Sequence, residues 1–222
     1  MEGCLKLTAI FAMGLYRSGT NFLQQTLDIN FINNKKIIDK HLADNLLYKH
    51  CLHDIWFNKM PADVKPFIVY KSPIKWIDSL VRQSYDLEKY YDISFEYGHT
   101  SVDLIFCDPE DESIKTIVKC SIEKLCNLYN RYFEFWLGKN VDFISHKKIA
   151  FETEKCLLQI EAKYKLLRKN KAFVFLQEDG VDGSRPFSNI VKNYYLNNEL
   201  VDNLTRSQIN SIQQNINKLI LL

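Results

Sequence analysis

The chain has 222 residues, 46% hydrophobic and 13% aromatic, which suits one α/β domain with a packed core and excludes a disordered chain. Its net charge of +2 spreads no field of one sign over the surface, so neither nucleic acid nor a membrane is indicated as a partner, and any anion site has to be built locally. The 6 cysteines form no C-x-x-C pair and read as reduced thiols; with no run of about 18 apolar residues and no signal-peptide pattern, the sequence reads as soluble and cytoplasmic.

Leu5 to Met13 is mostly apolar and predicts a strand buried on both faces. Gly14 to Gly19 is a turn, after which Phe22, Leu23 and Leu27 repeat at helical spacing. A second strand is predicted near Lys36 to Lys40, then a helix through Leu46, Leu47 and His50. Pro66 to Tyr70 is a third strand. Pro73 suits the first turn of the helix that follows, with Ser72 as its N-cap, and that helix runs past Trp76, Leu80 and Val81.

Tyr85 to Glu112 shows no clear period and reads as a long irregular excursion over the sheet, the kind of segment that forms lids or binding loops. Its rings (Tyr85, Tyr90, Tyr91, Phe95, Tyr97) stand among acids and suit either an acceptor wall or a surface excursion packed by its own aromatics. From Ser113 a long helix keeps Ile114, Ile117, Val118, Leu125, Leu128, Tyr132 and Trp136 on one apolar face. Lys148 to Phe151 reads as a strand, Thr153 to Arg168 as a helix, Ala172 to Leu176 as a last strand and Asp179 to Ser188 as a loop. Thr205-Arg206-Ser207-Gln208 has the capping-box pattern and opens a final helix with Ile209, Ile212, Ile216, Leu219 and Ile220. Strands alternating with helices predict a parallel sheet flanked by helices, with ligands at the carboxyl ends of the strands.

The sharpest signal is Gly14-Leu15-Tyr16-Arg17-Ser18-Gly19-Thr20-Asn21, set between a buried strand and a helix. The glycine spacing matches the first half of a P-loop, whose backbone N–H groups face a phosphate at the positive end of the helix. A nucleotide kinase has Lys and then a Mg²⁺-binding Ser or Thr where Thr20 and Asn21 stand, so phosphate binding is expected without a metal. The cation of the loop is Arg17. His50 and His53 as metal ligands are set aside, since no fourth ligand is evident.

Arg17-Ser18-Gly19-Thr20-Asn21-Phe22 resembles the 5′-phosphosulfate loop of the sulfotransferases, enzymes that use 3′-phosphoadenosine 5′-phosphosulfate (PAPS) and release 3′-phosphoadenosine 5′-phosphate (PAP). The resemblance implies a single-domain P-loop NTPase-like sulfotransferase fold over residues 1–222, with 85–112 on the acceptor side. It implies that Arg17, Ser18, Gly19, Thr20 and Asn21 hold the 5′-phosphosulfate and that Phe22 packs near the adenine. Lys71 and Ser79 match the family's 3′-phosphate motif. His41 matches its general base, with Lys40 balancing charge on the bridging oxygen. Phe151, in Ile149-Ala150-Phe151-Glu152, resembles an aromatic near the adenine, and Arg185 a residue that closes over the 3′-phosphate. The implied reaction is sulfuryl transfer to a hydroxyl or amine of a small-molecule or carbohydrate acceptor, without a metal. A P-loop kinase-like phosphotransferase and a non-catalytic nucleotide-binding protein on the same fold stay open beside it.

Overall fold

The computed structural model describes residues 8–32, 34, 49–50, 57–84, 87, 91, 98, 100–107, 115–176, 203–217 and 220. Their elements in chain order are β1 (Ala9–Met13), α1 (Thr20–Asn30), β2 (Val64–Tyr70), α2 (Pro73–Arg82), β3 (Ser101–Cys107), β4 (Lys115–Ser121), α3 (Ile122–Leu137), β5 (Asp142–Ser145), α4 (His146–Phe151), α5 (Thr153–Tyr164) and α6 (Arg206–Asn215). The chain divides into two compact units. One takes in Met1–Gly14, Gly19–Tyr70 and Val141–Leu196; the other takes in Leu15–Ser18, Lys71–Asn140 and Asn197–Leu222.

The first unit is α/β. Among the described residues its sheet has three strands in the order β1-β2-β5, both pairs parallel, with Met13 beside Ile68 and Tyr70 beside Ser145. Every residue of β1 is buried, as the unbroken apolar run requires. Ile10, Ala12, Phe67, Val69 and Ile144 of the strands pack with Leu23 and Leu27 of α1 and with Cys156, Leu157 and Ile160 of α5. Burying each large side chain of this set contributes about 1.5–3 kcal/mol. On the edge of β1 away from β2, side-chain amides replace a strand: Asn34 Oδ1 accepts from Ile10 N–H at 2.7 Å and Gln24 Oε1 from Ala12 N–H at 2.9 Å. Asp28 Oδ1 accepts from both amide groups and holds them in place.

The second unit is built on α3, whose Leu125, Leu128, Tyr129, Tyr132, Phe133 and Trp136 are buried. Strands β3 and β4 pair antiparallel from Ser101 opposite Ser121 to Cys107 opposite Lys115. Val102, Leu104 and Phe106 fill the inward face, while exposed Asp103 lies opposite exposed Lys119. Helix α2 starts at Pro73, with Ser72 in the N-cap place but making no side-chain cap bond. The expected capping box of α6 is present in full, Thr205 and Gln208 each bonding the other's backbone N–H.

Several expected elements are different. The helix predicted from Ser113 begins instead at Ile122, and Lys115–Ser121 is strand β4. Thr116, Ile117 and Val118 are β-branched and fit a pleated surface, and Ile117 is 66% exposed, so it belongs to no helical core face. Part of the predicted irregular excursion is strand β3. The strand predicted at Lys148 to Phe151 is helix α4, because Ser145 caps it by accepting from Lys148 N–H; the strand lies just before it, at β5. Ala172 to Leu176 forms no strand. One side chain ties it down instead, Asn30 bonding both Val174 N–H (2.7 Å) and Val174 C=O (2.9 Å), while Phe173 enters the core against Phe31. The strand predicted at Lys36 to Lys40 and the loop at Asp179 to Ser188 lie outside the described residues.

Candidate functional site

Each of the three parallel strands runs at its carboxyl end into a segment of the candidate site: β1 into the loop from Gly14, β2 into Lys71, β5 into His146. The loop crosses from one unit to the other between Ser18 and Gly19, and its two halves have different surroundings.

In the half that belongs to the second unit, the turn closes through Ser18 N–H donating to Leu15 C=O at 2.9 Å. Arg17 takes a left-handed conformation, φ 67°, which costs a residue with a Cβ about 1–2 kcal/mol and is kept where the surroundings impose it. Ser18 is 1% exposed and its hydroxyl has no hydrogen-bond partner among the described residues. A buried hydroxyl left unbonded costs about 1–3 kcal/mol, so its position calls for an outside polar group. Lys71 Nζ donates to Ser79 Oγ at 3.2 Å. The residue is partly exposed, but its ammonium end is withdrawn from water. That burial first, and then the positive charges of Arg17 and Arg82, push it well below the ordinary lysine value, with Asp78 opposing. Asp78 is fully buried, pairs with Arg82 at 3.6 Å and accepts two hydrogen bonds from Asn203.

In the half that belongs to the first unit, Gly19 opens α1 at φ 100°. A Cβ there would stand 2.0 Å from His146 Cδ2, so both backbone conformation and space demand glycine. The buried His146 ring also tilts against Phe22, centroids 5.7 Å apart. Asn21 Oδ1 accepts from the Lys49 ammonium. Gly14 is held on both sides, its N–H donating to Lys49 C=O at 3.0 Å and its C=O meeting His50 Nδ1 at 2.6 Å. A carbonyl only accepts, so Nδ1 carries the proton. Burial keeps the His50 ring neutral, with its pKa lowered to about 4.

The structure thus brings together Arg17, Lys71 and Ser79 in one unit, and Gly19, Phe22 and Asn21 with unexpected companions in the other. Phe151 ends a helix instead of a strand, beside Leu158 and Phe175 in a surface groove; the ring that follows β5 is His146. Sequence reading missed His146 because it placed the strand six residues too late, and missed Lys49 because nothing in its neighbours marks it. His41, Lys40 and Arg185 lie outside the described residues. Comparison of the chain with known families, with curated proteins and with solved structures finds no match in any of the three. Among the described residues, no helix is long and apolar enough to cross a membrane.

Proposed function

We propose that this chain is a PAPS-dependent sulfotransferase on a P-loop-like fold, transferring the sulfuryl group to a hydroxyl or amine of a small-molecule or carbohydrate acceptor. The observation that carries the reading is the Lys71 ammonium held on the Ser79 hydroxyl at 3.2 Å, with the positive charge of Arg17 near enough to help lower the Lys71 pKa. Such a pair is relieved by a ligand that brings an anionic group to each cation, which replaces cation–cation repulsion with charge-assisted hydrogen bonds. The orphan Ser18 hydroxyl supports the same ligand.

In this reading Arg17, Ser18, Gly19, Thr20 and Asn21 cradle the 5′-phosphosulfate, and Lys71 and Ser79 take the 3′-phosphate. The adenine falls to rings; Phe22 and His146, already in contact, fit that role better than Phe151. His41 takes the acceptor proton as the acceptor atom bonds to sulfur and the sulfur–oxygen bond to the 5′-phosphate breaks. The loop N–H groups, Arg17 and Lys40 stabilise the charge left on that oxygen. A kinase-like use of the loop is disfavoured because the Asn21 side chain, at the position of the metal-binding hydroxyl, is engaged by Lys49.

Calorimetric titration tests the reading. PAP is expected to bind roughly ten- to a hundredfold more tightly than AMP, the worth of one charge-assisted contact of about 1.5–3 kcal/mol. Equal affinities overturn the assignment of Lys71 and Ser79. PAP binding without any turnover of PAPS, over a broad acceptor panel, leaves a nucleotide-binding protein in place of an enzyme.

A further inference from the structure

The backbones that carry Arg17 and Lys71 are held by buried rings of the same unit. Tyr16, the residue before Arg17, has both backbone polar groups taken by distant side chains: its N–H donates to Tyr91 Oη at 3.1 Å, and its C=O accepts from Trp76 Nε1 at 2.7 Å. The Trp76 indole packs against the Tyr129 ring, centroids 5.5 Å apart. The Tyr129 hydroxyl in turn donates to the Lys71 C=O at 2.8 Å. Tyr129 is itself held by Phe133, centroids 4.5 Å apart, and all four rings are buried.

We infer that Trp76 and Tyr129 form a strut which sets the distance between the Arg17 and Lys71 backbones, and so are positioning residues for a ligand whose two anionic groups the two side chains take. One end of the strut bonds the peptide next to Arg17 and the other bonds the peptide of Lys71. Two rings with few rotatable bonds make a stiff spacer. Stiffness is what this place needs: Arg17 holds a left-handed backbone and two like charges stand close in low dielectric, so without a brace they would relax apart. A cation pair kept at fixed spacing selects an anion that spans it, because the cost of gathering the charges has been met in folding rather than in binding. The inference rests on the reading of Arg17 and Lys71 as an anion site, and adds to it the residues that give the site its selectivity.

The test removes single atoms from the strut and uses two readouts. Tyr129→Phe deletes only the hydroxyl that bonds Lys71 C=O; Trp76→Phe deletes the indole N–H that bonds Tyr16 C=O. The Lys71 side-chain pKa is followed by NMR titration of the full chain, and the ratio of AMP to PAP dissociation constants by calorimetry. Each variant is expected to move the Lys71 pKa back toward the ordinary lysine value, as Arg17 draws away. Each should also narrow the ratio at least fivefold, by weakening PAP, which needs both cations at their spacing, more than AMP, which needs Arg17 alone. Phe133→Leu is the control: it loosens the same core without touching either bond, and is expected to lower Tm while leaving both readouts in place. The inference is overturned if Tyr129→Phe leaves both readouts unchanged, or if Phe133→Leu shifts them as far as the strut variants do. Should wild-type protein bind PAP and AMP alike while Tyr129→Phe still raises the Lys71 pKa, the strut stands and the nucleotide reading falls. Tyr129→Phe keeps the shape of the ring, so the test survives a Trp76→Phe protein that fails to fold.

Discussion

Leu15–Ser18 and the chain from Gly19 to Phe22 are neighbours in sequence, yet they gather different kinds of chemistry. The first segment works with cations: Arg17, the partly desolvated Lys71 and an unbonded hydroxyl. The second works mainly with rings, a glycine pressed by an imidazole and the Phe22 ring beside it, and takes one cation, Lys49, on the Asn21 amide. Charge is expensive to desolvate and needs partners, whereas rings need only surface.

The comparison breaks most visibly if the two halves respond alike to mutation. Arg17→Ala is expected to damage PAP binding and turnover together, while His41→Ala should cut turnover roughly 10²–10⁴-fold with PAP affinity near wild type, the usual worth of a general base. Single-turnover kinetics beside calorimetry separates the two, and a fully active His41→Ala protein moves the base elsewhere, with His50, braced on Gly14, the next to replace.

A pH effect is expected on stability, from His50 behind Gly14. The His50 pKa is about 4 in the folded chain, against 6.5 for the ordinary group. Between those values the unfolded chain binds a proton that the folded one refuses, so stability falls as pH drops from about 6.5 to about 4, by up to roughly 3 kcal/mol. Urea unfolding of wild type and His50→Gln across that range checks it; parallel curves would mean that His50 is protonated in place.

Gly19→Ala should destabilise by roughly 1–3 kcal/mol through its positive φ, with a further loss from the collision with His146. Adding His146→Ala is expected to recover the collision and leave the backbone cost, so the double variant melts between the parents. The smallest effect concerns the charged half. Lys71 is partly neutral in the free protein at alkaline pH and gains a proton when a dianion arrives, so PAP binding should take up part of one proton. Heats measured in two buffers of different ionisation enthalpy give that number, and Lys71→Met should bring it to zero.

What the sequence revealed follows the range of the forces involved. The β1–loop–α1 unit was legible because glycine spacing, an apolar run and a helical period fall within twenty residues of one another. Lys71 and Ser79 lie on one helix and its approach, and the structure bonds one to the other. The β3–β4 pair was not, since Thr116, Ile117 and Val118 satisfy either period until the partner strand is known. Nor was the Asn30 bridge to Val174, which substitutes a single side chain for a whole ladder. The packing of His146 on Gly19 is a tertiary contact between residues far apart in sequence, and local pattern carries no trace of it.

Strand β5 pairs with β2 across the whole of Lys71–Asn140, and that interval has a cost in time. A ribosome adding about 5–20 residues per second needs roughly 4–14 s to make those 70 residues, and throughout that period one margin of β2 has no partner. The nascent chain therefore carries an open parallel edge built of Phe67, Ile68 and Val69, the kind of surface that recruits neighbouring chains. Slower, cooler synthesis lengthens this interval but weakens apolar association, and a holdase chaperone covers the edge directly. Yield from a cell is thus expected to depend on when β5 is delivered as well as on how stable the finished sheet becomes.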